Sequence, residues 1–177
     1  MRVWDPAQRL LHWGLVLAVA FSWVVGEAKL QWHIGFGYAA LGIAGARVLW
    51  GWLGGPRARF ARFVVGPRRL IGYAQAVWRH REPRYLGHNP LGGWMIVALL
   101  SCLACVCVSG IMYTTDRFWG LEWVELAHRI SAWLLLVLAG VHVAGVVFTG
   151  WRQSENLVAA MVSGRKTARS GDADPNG

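Results

Sequence analysis

The sequence predicts an all-α membrane protein, a bundle of four transmembrane helices. Three observations predict it: 55% of the 177 residues are hydrophobic against 15% charged, the apolar residues gather into four long runs, and the charges fall between those runs. A soluble domain of this size carries about 25% charged residues, so the shortfall points to lipid as the solvent.

The predicted helices cover residues 10–26, 32–53, 91–112 and 127–151, the apolar stretch of the last running from Ile130 to Trp151. Each has about the 17–25 residues that cross a hydrocarbon core of roughly 30 Å. Within lipid every backbone amide must be satisfied inside its own segment, which forces the helical state. The first run follows Arg2 and Arg9, as a signal peptide would, and Gly26-Glu27-Ala28 faintly resembles a cleavage site. Its apolar part exceeds the usual 7–15 residues, so it is read as a helix of the mature chain.

Between the second and third helices lies a basic loop, residues 54–89. It carries Arg57, Arg59, Arg62, Arg68, Arg69, Arg79, Arg81 and Arg84 against one acid, Glu82. Arg152, Arg165, Lys166 and Arg169 follow the last helix, whereas the other two connections are balanced or acidic. The positive-inside rule therefore places this loop and both termini in the cytoplasm. Within the loop, residues 67–81 interleave Leu70, Ile71, Tyr73, Ala74, Val77 and Trp78 with arginines, the pattern of a short amphipathic helix on an anionic leaflet. This placement explains the net charge of +9 without nucleic acid as a partner. Residues 1–162 form the predicted membrane domain, and residues 163–177, small and polar, are expected to be a disordered tail.

Cys102, Cys105 and Cys107 sit in an apolar run without the histidine that a c-type haem attachment needs, and they read as packing residues. The histidines carry more. Ionisable groups at membrane depth are costly and call for a purpose. His12, His33, His128 and His142 all lie at predicted helix ends. From His128 to His142 there are 14 residues, about 21 Å of helix and within about 40° of four whole turns, so one helix presents two imidazoles on one face. Alternate threading pairs His12 with His142 on the cytoplasmic side and His33 with His128 on the other.

Two imidazoles from facing helices are what a six-coordinate haem iron requires. The four histidines are therefore predicted to be the iron ligands of two non-covalent, bis-histidine b-type haems. With both axial positions filled, electron transfer is favoured over oxygen chemistry. His80, flanked by Arg79 and Arg81, reads as a solvated interfacial residue. His88 is a competitor that would replace His12 or His142 or contact a haem propionate. Arg47 returns to the face of His33 after 14 residues and is read either as a propionate partner or as an arginine snorkelling to headgroups. Arg129 is a similar candidate at the outer haem. The glycines allow close helix approach, and the 12 tryptophans form an aromatic belt.

The ordered motifs carry a resemblance. Val3-Trp4-Asp5-Pro6 with Arg9 and His12-Trp13, Arg47-Val48-Leu49-Trp50-Gly51, Gly87-His88-Asn89-Pro90-Leu91-Gly92-Gly93, Ala127-His128, Val141-His142-Val143-Ala144-Gly145 and Glu155-Asn156-Leu157-Val158 through Gly164-Arg165-Lys166 run over nearly the whole chain. Together they resemble the bacterial cytochrome b561 family, which includes the b-type cytochrome subunits of nickel-iron hydrogenases. The resemblance implies a four-helix membrane cytochrome with haem b, exchanging electrons between the quinone pool and a partner redox protein or small oxidant. Arg129 departs from it, because members often carry an acid after that histidine.

The resulting expectation is a di-haem cytochrome of the bacterial inner membrane, acting as an electron carrier or quinol oxidoreductase. Its expected partners are the lipid bilayer, a quinone or quinol, and a periplasmic or membrane redox protein such as a c-type cytochrome or hydrogenase, with a second copy of the chain as a further candidate. Ionisable groups near Glu27 or Glu125 are candidates for the exit of quinol protons, although the sequence identifies no quinone pocket. The rival expectation is a non-haem membrane subunit or transporter whose histidines line a polar path.

Overall fold

The computed structural model describes residues 3–55 and 58–167, apart from the side chain of Glu27. Among the described residues seven α-helices occur in order: α1 (Pro6–Val25), α2 (Leu30–Leu53), α3 (Phe60–Phe63), α4 (Pro67–Trp78), α5 (Pro90–Tyr113), α6 (Glu122–Arg152) and α7 (Leu157–Ser163). A single 3-10 turn, Glu27–Lys29, joins the first two. Among the described residues there is no β-strand, and α1, α2, α5 and α6 are long and apolar enough to cross a membrane.

The fold class is the one the sequence predicts, and α1, α2, α5 and α6 overlap residues 10–26, 32–53, 91–112 and 127–151. α6 begins five residues earlier than expected, at Glu122. Charge alone suggested a loop there, but Glu122 and Glu125 lie in the first helical turn, where the positive end of the helix dipole favours acids. α4 ends at Trp78 rather than at residue 81. Ordered chain also continues past residue 163: Ser163 closes α7, and residues 164–167 are described, while the rest of the expected tail, residues 168–177, and Arg57 lie outside the described residues.

The chain divides into two compact units, and each is described by itself. The unit of residues 10–48 and 98–140 contains the apolar core. Ala18 of α1, Ala40 and Ala44 of α2, Cys102, Leu103 and Cys107 of α5, and Leu135 of α6 are buried together there. Five of these seven residues are Ala or Cys, small side chains that let apolar helices approach closely where lipid gives no hydrophobic drive between them. Cys102 and Cys107 hydrogen-bond to the carbonyls of Ser131 and Gly37, and all three cysteines are unpaired, in keeping with a packing role.

The unit of residues 1–9, 49–97 and 141–177 is built from caps and buried ion pairs. Asp5 Oδ1 accepts the amide of Gln8 at 2.8 Å, and Asp5 Oδ2 accepts the indole N–H of Trp50 at 3.3 Å. Asn89 caps α5 by accepting the amide of Gly92 at 2.7 Å, and Asn156 caps α7 by accepting that of Ala159 at 2.8 Å. At the end of α7, Gly164 adopts φ 78°, a left-handed conformation that glycine enters without strain. Its carbonyl accepts the amides of Val3 and Trp4, and an added Cβ would stand 2.8 Å from the Trp4 oxygen. Glu155 receives Arg84 at 3.0 Å and Lys166 at 3.6 Å, and Glu82 receives Arg152 at 2.7 Å, all with side chains at most 14% exposed. Several motif residues quoted above are thus folding devices of this unit.

Candidate haem site

His33 opens the second turn of α2, and His128 lies two turns into α6, both within the apolar unit. Their rings are brought together: the centroids are 6.0 Å apart and the planes are inclined at 78°. Metal-to-imidazole bonds of about 2 Å, plus about 1 Å from each nitrogen to its ring centre, put two axial rings of one metal roughly 6 Å apart. The observed spacing is compatible with two imidazoles that share one metal.

The hydrogen bonds fix which nitrogen of each ring is available. His33 Nδ1 lies 2.9 Å from the carbonyl of Ser22, and His128 Nδ1 lies 3.0 Å from the carbonyl of Val106. A carbonyl can only accept, so each Nδ1 carries the hydrogen and each Nε2 keeps its lone pair for a metal. Metal-binding histidines are commonly oriented in this way through the nitrogen that does not bind. The hydroxyls of Ser22 and Ser109 stand at 3.2 and 3.3 Å from the same two Nδ1 atoms. Sequence reasoning missed both serines, because a carbonyl or hydroxyl contact across two apolar helices leaves no periodic signal.

The other site residues are placed as follows. His12, in the same unit, has its ring edge-on to Trp13 at 5.3 Å. His142 belongs to the other unit and is half-buried. Arg47 is only 5% exposed, which removes the snorkelling reading, since a guanidinium reaching for headgroups stands in the open. His88 has one aromatic ring at 4.6 Å, that of Trp4, and another at 4.7 Å, that of Phe63. His80 is exposed, as expected, and its Nδ1 accepts from Arg152. Arg129 pairs at 3.7 Å with Glu125 on the surface of α6. Gln8, also missed in the sequence, is 1% exposed and its side-chain amide has no hydrogen-bond partner among the described residues, which calls for a water or ligand group there.

Among the described residues, no group of three or more His, Cys, Asp or Glu side chains comes together as a metal cluster. Axial ligation of a haem needs only two donors, because the porphyrin supplies the other four. The donors at His33 and His128 fit haem b in number, spacing and tautomer, and at Gly37, one turn along α2 from His33, an added Cβ would meet nothing within 4 Å beyond its own stretch of helix backbone.

Comparison with known proteins decides the family: the model of prokaryotic cytochrome b561 matches residues 3–164. The chain belongs to the prokaryotic cytochrome b561 family. No curated protein and no solved structure matches it. As a cytochrome b561, the chain is a multi-pass membrane protein of the b-type cytochromes that serve electron transfer, and haem b is the cofactor its family implies. The expected recognition and fold are borne out.

Proposed function

We propose that this cytochrome b561 binds two haems, one between His33 and His128 and one between His12 and His142, and carries electrons between the quinone pool and a partner redox protein or small oxidant. The observation that supports the reading most strongly is the pair of Nδ1-anchored imidazoles 6.0 Å apart. The second pair rests on helix register: His142 follows His128 by 14 residues on one continuous helix, which brings it back to nearly the same face about 21 Å further along.

Bound haem supplies a one-electron couple held at low polarity. The protein's part is to keep the Nε2 lone pairs of His33 and His128 free to hold the haem, which would then offer oxygen no open coordination site. Arg47, a buried cation on α2, is offered as partner to a propionate of the haem at His12 and His142. His88, set beside Trp4 and Phe63, is assigned a packing or propionate-contact role rather than an axial one.

The chain is assigned to the bacterial cytoplasmic membrane with both termini and the basic loop inside. α4 supports this orientation, since Ile71 and Trp78 are 57% and 87% exposed and the arginines Arg68, Arg69 and Arg79 are exposed with them. An apolar stripe carrying Trp beside arginines is suited to an anionic interface. The redox partner is expected to be a hydrogenase or a c-type cytochrome. A reduced-minus-oxidised spectrum with pyridine haemochrome quantification tests the proposal: b-type bands and about two haems per chain are expected, whereas a colourless, folded protein would favour the transporter reading.

A further inference from the structure

His128 is seated by α5, a helix that contains no histidine. Three consecutive features of α5 meet its ring. The carbonyl of Val106 lies 3.0 Å from Nδ1, and the hydroxyl of Ser109 lies 3.3 Å from it. Gly110 comes next, where an added Cβ would stand 3.1 Å from Cε1 and 3.2 Å from Nδ1 of the same ring.

The hydrogen of Ser109 is accounted for. Its Oγ donates to the Cys105 carbonyl at 2.7 Å, so toward the imidazole it can only accept. The Nδ1–H of His128 is therefore shared between two acceptors, one of them a side chain that is itself 8% exposed. Two acceptors restrict the turning of a ring about its own bond more than one does, and Gly110 leaves no slack for the ring to slide. On the facing side, the Ser22 carbonyl and hydroxyl do the same for His33 at 2.9 and 3.2 Å. The outcome of both seats is the 78° angle between the two planes.

We propose that Ser109 and Gly110 are positioning residues that hold the His128 imidazole crossed to that of His33, so that a haem bound there has crossed axial planes and an electronic signature of its own. The inference rests on the bis-histidine reading of this pair. Crossed rings donate into different iron d orbitals, which stay close in energy; parallel rings donate into the same orbital and split the pair. A ferric low-spin haem of the first kind gives an electron paramagnetic resonance signal stretched to large g, and one of the second kind gives a rhombic spectrum. Axial-ligand geometry is one of the levers a protein holds over haem.

The test uses the full-length protein in lipid nanodiscs, oxidised, with haem content measured on the same samples. In the wild type, the signal that disappears in His128→Ala is expected to be the large-g one. Ser109→Ala is expected to keep the haem and to move that signal to smaller g or spread it over two populations, while the other haem's signal stays put. Ser109→Thr, which keeps the hydroxyl, restores it. Gly110→Ala presses directly on the ring and is expected to move the same signal. The proposal is overturned if Ser109→Ala and Gly110→Ala both keep the wild-type spectrum, or if the signal assigned to this pair is rhombic. Full haem content in His128→Ala would instead overturn the bis-histidine reading itself.

Discussion

Glu155 holds two cations at once, Arg84 at 3.0 Å and Lys166 at 3.6 Å, with all three side chains at most 12% exposed. It links the basic loop to residues beyond α7 within one compact unit. Removing the carboxylate leaves two buried positive charges facing each other. Glu155→Gln is expected to destabilise the protein by about 3–5 kcal/mol, because breaking a buried pair costs far more than the pair contributes. Thermal unfolding in detergent checks this. The exposed pair Arg129–Glu125, at 62% and 53%, is the control: Arg129→Ala is expected to change stability by about 0–1 kcal/mol.

Gly93 of α5 lies against the backbone of α3. A Cβ there would stand 2.5 Å from the Phe63 carbonyl oxygen and 3.0 Å from its ring, and a backbone atom does not yield cheaply. Gly93→Ala is expected to cost about 1–3 kcal/mol through overpacking, while Gly72→Ala in α4, where the new Cβ would meet nothing within 4 Å beyond its own stretch of helix backbone, is expected to be neutral or slightly stabilising because alanine favours a helix. Melting of the two variants side by side separates these outcomes.

Tyr73, buried in α4, has its phenol pushed up to about 12, first by burial and then by the charge of Glu82. A pKa raised on folding means that the neutral phenol is preferred in the folded protein. Its contribution is complete below about pH 10 and is lost as pH rises toward 12. Wild type is expected to lose stability across that window, and Tyr73→Phe to lose less. Thermal melts between pH 9 and 12 measure the difference.

α4 gives a prediction about lipid. In nanodiscs of anionic phosphatidylglycerol, trypsin is expected to cut after Arg68, Arg69 and Arg79 more slowly than in zwitterionic phosphatidylcholine, and Ile71→Ser with Trp78→Ser is expected to abolish that difference. Equal cutting rates in both lipids for the wild type would remove α4 from the interface.

Much of this architecture was legible in the sequence because lipid leaves few choices. A run such as residues 91–112 must become a helix, and α5 spans Pro90–Tyr113. Helix direction and spacing also pointed to His33 and His128 at one level, and their rings lie 6.0 Å apart. What periodicity does not carry is the support around them. Val106 acts through its carbonyl, which every residue possesses, and Ser22 and Ser109 read as tolerated small residues in apolar helices. The packed stretch after Ser163 was hidden for a related reason: Lys166 reads as a tail cation until Glu155 is found beside it. Composition reports solvent preference, and it is silent on a buried charge whose partner lies in another element.

The central claim is that His33 and His128 clamp one haem. Haem content per chain, counted by pyridine haemochrome in His33→Ala, in His128→Ala and in the double variant, tests it most directly. The account predicts that each single replacement removes the same one of two haems and that the double replacement removes no more than either alone. Two haems retained in either single variant, or additive loss of both in the double, would contradict it.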